Sequence, residues 1–475
     1  MEIRNFQSLL DLPPGSNEIL AREILLQLLK IGIEAVNPFE IVTNSIQYDS
    51  NSQSLTIANL KLDLTNKQVR VIGTGKAVGR MAEAVEAVLE GVPLTGIICV
   101  PKGVKKSLNL GKIQCLESTH PLPSEINFEN TQKTMKFIQE ISPDDLVISL
   151  ISGGGSALWS APTPPITMND LKALNMALLH SGMSIHEINV IRKHISQIKG
   201  GKVAQLIPAM SIILLLSDVI GDQIESIASG PFSPDTSTYN DVINLLNKYF
   251  LSKNVLPKSV YEVLTKGVMG VIAETPKPKN PIFSRFHHFV IGSNTVARQA
   301  IFNTASKAGL KVINDERLVD GNAREVGVQM AKLAHKIGKG NSTPVLYISG
   351  GEPIVKVKGN GTGGRNQEVV AAFLKEISAN DPSPDISFVS IGTDGIDGNS
   401  DYAGAICDKY SLKLYNKRNL DLDQYQENND LTNFFLQLGK CLILLGPTGT
   451  NVMDIHLLLV NGTNLIDNIG FSSGI

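Results

Sequence analysis

Three consecutive glycines, Gly153, Gly154 and Gly155, followed by Ser156, stand in Ile151-Ser-Gly-Gly-Gly-Ser-Ala-Leu158, directly after the apolar run 146–150. A turn of this composition leaves backbone N–H groups uncovered, and such groups can wrap an anion. A following helix would add its positive end. Glycines also make tight strand ends that bind nothing. The pattern recurs, however. Polar glycine turns also follow apolar runs at Gly73-Thr-Gly-Lys76, Ser349-Gly-Gly-Glu352, Gly359-Asn-Gly-Thr-Gly-Gly-Arg365, Gly392-Thr-Asp-Gly395 and Gly446-Pro-Thr-Gly-Thr450. Open α/β sheets place their ligands in such loops, at the carboxyl ends of strands.

Two cations sit inside these turns. Lys76, between a strand and a helix, can neutralise a phosphate or carboxylate at the helix start. Its surroundings are no P-loop, which needs a longer gap between glycines and a hydroxyl after the lysine. They do form a loose dinucleotide fingerprint, Gly73-x-Gly-x-x-x-Gly79. The acid that should end the next strand is missing, because Ile98-Cys-Val100 runs into Pro101-Lys102. Arg365 opens a helix from a mobile-looking glycine loop, where a guanidinium can bind an oxyanion through two parallel bonds.

Among the acids, Asp218 and Asp222 occur in Leu216-Ser-Asp-Val-Ile-Gly-Asp222, past the most apolar strand. A carboxylate there can accept a proton from a hydroxyl nucleophile or ligate magnesium; Asp222 also fits a helix N-cap. Arg192, Lys193, His194 and Lys199 share three helical turns, either as a solvated basic face or as an anion-facing one. His194 has no partner at metal-ligand spacing. Asp394, Asp397 and Asp401 lack the bidentate glutamate of an EF-hand loop and read as turn and capping acids.

The elements that must position these residues follow from periodicity. Helices are expected over 21–36, 81–89, 169–179 and 185–198, and strands over 68–72, 96–100, 146–150 and 211–216. This alternation implies parallel sheet with helices on both faces. Glu274-Thr-Pro-Lys-Pro-Lys-Asn-Pro281 has a linker's composition. A second alternation follows, with strands over 288–291, 311–313, 345–348 and 386–391 and helices over 295–308 and 324–336. The expected division is 1–280 and 286–475.

The chain has 475 residues, too long for one ordinary core. With 43 basic and 45 acidic residues it carries no footprint for nucleic acid or an anionic membrane. Its four cysteines form no CxxC pair, which argues against a zinc site and for a reducing compartment. The N-terminus lacks a signal-peptide pattern, and no apolar run could span a bilayer, so the expected location is the cytoplasm.

Taken together, Gly-Thr-Gly-Lys76-Ala, Ser152-Gly-Gly-Gly-Ser-Ala157, Asn189-Val-Ile-Arg-Lys-His194, Ser217-Asp-Val-Ile-Gly-Asp222 and Ala228-Ser-Gly-Pro231 resemble the type-2 glycerate kinases. Gly350-Gly-Glu352-Pro, Gly363-Gly-Arg-Asn-Gln-Glu368, Gly392-Thr-Asp-Gly395 and Gly446-Pro-Thr-Gly-Thr-Asn451 resemble that family's C-terminal domain, called MOFRL. The resemblance runs in order from Lys76 to Asn451. It implies an α/β protein of two domains, an N-terminal Rossmann-like α/β/α sandwich and a C-terminal α/β domain of MOFRL type. It further implies ATP-dependent phosphorylation of D-glycerate to 2-phosphoglycerate in an interdomain cleft.

On that pattern Lys76, Arg365, Asp218 and Glu352 hold the catalytic positions. Gly153–Ser156 would take the nucleotide phosphates, with Mg²⁺ bridging them and Asp222 as a metal contact. Arg192, His194 and Asn366 would meet the substrate. Small molecules are the expected partners, with a homodimer possible. The alternatives are a nicotinamide-dependent hydroxypyruvate reductase, which handles the same small acid, a kinase giving 3-phosphoglycerate, and a non-catalytic sugar-acid or nucleotide sensor.

Overall fold

The computed structural model describes residues 2–16, 18–249, 255–340, 343–380 and 385–462. They divide into two units. One comprises Pro38–Ile291, and the other joins residues up to Asn37 with those from Gly292 onward.

The Pro38–Ile291 unit begins with an antiparallel sheet of β1 (Ile46–Asp49), β2 (Ser54–Ile57) and β3 (Leu60–Asp63). Its main sheet contains β4 (Val69–Thr74), β5 (Leu94–Pro101), β6 (Ile113–Ser118), β7 (Leu146–Ser152), β8 (Met210–Leu216) and β9 (Phe286–Gly292). The spatial order is β6-β5-β4-β7-β8-β9, and the pairs from β6 to β8 are parallel. All seven residues of β7 are buried, Ser149 and Ser152 included, so both its faces are covered. The chain leaves β4 to build β5 and β6 on one side, then returns to place β7 on the other. That reversal opens a crevice at the carboxyl ends of β4 and β7, where α/β sheets bind ligands.

The second unit carries β10 (Lys311–Asn314), β11 (Val345–Gly351), β12 (Ile386–Gly392), β13 (Gly404–Asp408), β14 (Leu442–Ile443) and β15 (Asp454–Val460), in the order β10-β11-β15-β12-β13-β14. Only β10 and β11 pair in parallel; the other pairs are antiparallel. The late strand β15 inserts between β11 and β12, so the sheet is mixed where strand–helix alternation suggested a parallel one.

Two boundaries differ from the sequence reading. Residues up to Asn37 belong to the second unit rather than to a 1–280 domain. The helix Glu18–Glu34 packs on Asn294–Lys307 so closely that a Cβ on Gly32 would lie 2.6 Å from Ile301 Cδ1. The fully buried Arg22 donates from Nε to Asp408 Oδ2 at 2.5 Å and from Nη1 to the Leu9 and Lys440 carbonyls. The Pro-rich segment is no solvated linker either. Thr275 is buried and donates to Asp235 Oδ2 at 2.9 Å, and Glu274 accepts from the Tyr239 N–H at 2.9 Å. The chain then adds β9 to the first sheet before the units divide.

Candidate active site

At the crevice of the first unit, two glycine turns are stitched together. The Lys76 N–H donates to the Gly153 carbonyl at 2.9 Å, and the Ala77 N–H donates to Ser152 Oγ at 3.1 Å. The approach is so close that a Cβ on Gly75 would stand 2.1 Å from Ser152 Oγ. Gly154 adopts φ 80°, which glycine tolerates without strain, and starts a helix of only four residues, Gly155–Leu158. A helix this short adds little dipole to the turn's own amides.

Asp218 follows β8 and lies against the same turn: a Cβ on Gly153 would be 1.9 Å from its Oδ2. It caps no helix, because the short 3-10 turn beyond it, Ile220–Asp222, has Val219 at its N-cap. Asp222 is not an N-cap either; it ends that turn at φ 52°. Lys76 and His120 close the other side of Gly154, at 3.2 Å and 2.8 Å from a Cβ built there. Burial, with Lys76 alongside, lowers the His120 pKa to about 4, so the ring is neutral at physiological pH.

The run Arg192–Lys199 is not a solvated face. Lys193 pairs with Asp235, and His194, wholly buried, lies between the Val190 carbonyl and Glu274 and meets Tyr239 edge-on. With both ring nitrogens engaged inside the unit, His194 is an internal strut rather than the substrate contact expected of it. Arg192 lines a cavity of about 350 Å³ together with Gly154, Ser156 and Lys199. Lys199 donates to the Ser156 carbonyl at 2.7 Å, and burial, reinforced by Arg192, lowers its pKa to about 7.

An amine lowered from its ordinary 10.5 to about 7 is neutral in the folded protein and charged in the unfolded chain between those values. The unfolded chain then binds more protons, so stability rises with pH through that window. Lys199→Met removes this dependence. The melting-temperature difference, variant minus wild type, is expected to be larger at pH 6 than at pH 10.

In the second unit, Arg365 is the first residue of the helix Arg365–Ala379, at one end of the sheet. Its Nε and Nη2 donate to Asp454 at 2.6 and 2.9 Å, and Nη1 donates to Glu352 at 2.9 Å. Strand register explains the meeting, since Asp454 is paired with Gly351 on one side and Gly392 on the other. Burial raises the Asp454 carboxyl to about 7, against the pull of Arg365. Burial also costs the guanidinium, but Asp454 and Glu352 more than offset it and hold the proton firmly.

Asp397 fixes the start of this helix. It accepts from the backbone N–H groups of Asn366 and Gln367 at 2.9 Å each and from both side-chain amides. This is the capping role expected for the acids of that loop. Asn366 is buried, with its amide between Asp397 and Ser390, and so orients the helix rather than offering a substrate contact. Ser390 in turn meets His456 Nδ1 at 2.8 Å, and burial lowers the His456 pKa to about 3. Asp454 and His456 are not singled out in the sequence, whereas Lys199 is read with Arg192 as part of a basic cluster. For Asp454 the available signal was an acid at the head of the apolar run 455–460.

A family model described as a domain of unknown function, DUF4147, matches residues 24–265, and the MOFRL family model matches residues 345–454. The chain is 34% identical to the glycerate 2-kinase of Pyrococcus horikoshii, over 92% of this chain and 97% of that protein. The chain belongs to the glycerate kinase family. It is 33% identical to the D-glycerate 2-kinase of Thermotoga maritima (92% and 98% covered) and 33% identical to a putative hydroxypyruvate reductase of Agrobacterium vitis (94% and 95%). The crystal structure of a Thermotoga maritima glycerate kinase superposes with a TM-score of 0.78 at 32% identity, covering 94% of this chain and all of that one. Membership fits the α/β architecture of both units.

Among the described residues no helix is long and apolar enough to cross a membrane, and no group of three or more His, Cys, Asp or Glu could hold a metal. All four cysteines are free and buried.

Proposed function

We propose that this glycerate kinase family member transfers the γ-phosphoryl group of ATP to the 2-hydroxyl of D-glycerate, giving 2-phosphoglycerate and ADP. The observation that carries the reading is the meeting of Lys76, the Gly153–Ser156 turn and Asp218 at the switch point of a parallel sheet. Phosphoryl transfer asks for positioning and charge neutralisation more than covalent chemistry by the protein. The turn's N–H groups hold nucleotide phosphates, and Lys76 neutralises charge on the phosphoryl group in flight. Asp218 orients the glycerate hydroxyl and takes its proton as the new O–P bond forms and the bond to the ADP oxygen breaks.

Arg365 is the anion-binding group of the second unit. Asp454 fixes its plane through two bonds, and the remaining guanidinium edge faces the exposed Glu352. An arriving carboxylate or phosphate displaces Glu352 from that edge, leaving it to accept a substrate hydroxyl. Asp222 would be the protein's contact to magnesium carried on the nucleotide, which would supply further charge neutralisation.

The reductase reading has a relative's name in its favour and the strand ends against it. A dinucleotide enzyme needs an acid for the ribose at the end of the strand after its glycine turn. Here β5 ends in Pro101, followed by Lys102. Incubation of the purified protein with MgATP and D-glycerate, followed by ³¹P NMR, tests the assignment. The expected result is glycerate-dependent ATP consumption and a 2-phosphoglycerate signal. Reduction of hydroxypyruvate by NAD(P)H without ATP consumption would overturn it.

A further inference from the structure

The cavity beside the glycine turn is poorly suited to a three-carbon acid. At about 350 Å³ it lies within the range of roughly 300–1,000 Å³ that accommodates drug-sized ligands. Much of its wall is apolar, formed by Pro121, Leu122, Leu171, Leu179 and Ile195. Glycerate carries a polar group on every carbon and would leave these surfaces without a complementary partner. A flat aromatic heterocycle would cover them.

The polar groups are few and concentrated. Asn175 Oδ1 accepts from Arg192 Nε and Nη2 at 3.2 and 3.1 Å, which fixes the guanidinium plane and leaves the Asn175 NH₂ to donate elsewhere. Lys199, buried and bonded to the Ser156 carbonyl, brings a second basic group that has no carboxylate ion pair among the described residues. No carboxylate residue lines the cavity. Its wall is continuous with Gly154 and Ser156, so whatever fills it emerges at the anion-binding turn. The result is an apolar slot with one fixed amide, leading to a polar mouth lined by the Arg192 guanidinium and the Lys199 amine.

We infer that this cavity is the nucleoside pocket of the phosphoryl donor, with a purine-class base against the leucine and proline walls and its 5′-phosphates leaving past Arg192 and Lys199 onto the Gly154–Ser156 turn. The inference rests on the kinase reading and adds where the donor's base is recognised. Burial lowers the basicity of both Arg192 and Lys199, which places them out of bulk water, where an anionic ligand gains most from them.

The test uses the full chain and 8-azido-ATP as a photoprobe, with adducts mapped by peptide mass spectrometry after confirmation that the wild type consumes ATP with D-glycerate. ATP-protectable labelling is expected within residues 119–125, 168–180 or 192–199. In parallel, Leu179→Glu alters an exposed wall residue that the fold does not need buried. It should raise KM for ATP at least tenfold while leaving KM for D-glycerate and inhibition by inorganic tripolyphosphate unchanged. Labelling confined to residues 292–462, or a rise in KM for glycerate alone, would overturn the pocket while leaving the kinase intact. A wild type that consumes no ATP would overturn the kinase reading, and the pocket with it.

Discussion

Replacing Arg365 by alanine is expected to lower kcat/KM at least a hundredfold, and to destabilise the protein as well. The first effect is the scale seen when one preorganised group that stabilises transition-state charge is removed. The second follows from Asp454, which has no exposed side-chain surface and is paired through two bonds to the guanidinium. Removing one partner of a buried ion pair leaves the other charge uncompensated, at a cost of about 3–5 kcal/mol. Asp454 already stands at about 7, and without Arg365 it will take up a proton more readily still. A carboxyl raised in the folded state binds more protons there than in the unfolded chain, so the variant should lose more stability at pH 8 than at pH 5.

The double variant Arg365→Ala/Asp454→Asn separates the two effects. Thermal melts should show most of the stability restored, because no buried charge remains, while turnover stays low. Recovery of activity in the double variant would reduce Arg365 to a structural clamp. Lys76→Ala offers the complementary case. Lys76 is only half-buried and forms no ion pair among the described residues, so it should lose turnover on a similar scale with little change in melting temperature.

How far the sequence reaches differs between the units, for a physical reason. In the first, the groups proposed to act in catalysis lie next to the strand ends that hold them. Lys76 follows β4, the glycines follow β7, and Asp218 follows β8. Apolar runs identify those strands, and parallel connectivity brings their ends together. In the second, Arg365 is positioned by a residue 89 positions away on a strand inserted antiparallel between two earlier ones. No local pattern announces that pairing. The same limit applies to the first 37 residues, whose helix is legible but whose placement depends on Arg22 meeting Asp408, 386 positions on. Composition misled at residues 274–281, where prolines and lysines suggest a solvated linker. Composition cannot show that Thr275 and Glu274 find buried partners.

Asp218→Asn should lower kcat by roughly a hundredfold to ten-thousandfold, the range for losing a general base, with the melting temperature nearly unchanged. The carboxylate's position argues for this. It lies against Gly153 without capping a helix, so the roughly 1 kcal/mol that a lost N-cap costs is not expected. Asparagine keeps the shape, and with it the contact on the glycine turn, while removing charge and basicity. A base that takes a proton from the glycerate hydroxyl should also show in the pH profile. The acidic limb of kcat in the wild type reports its ionisation and should disappear from the residual activity of the variant. If the variant turns over normally, the proton leaves by another route. If KM for ATP rises while kcat holds, Asp218 serves the nucleotide and not the hydroxyl, because a group acting only on the attacking oxygen is felt in the chemical step rather than in donor binding.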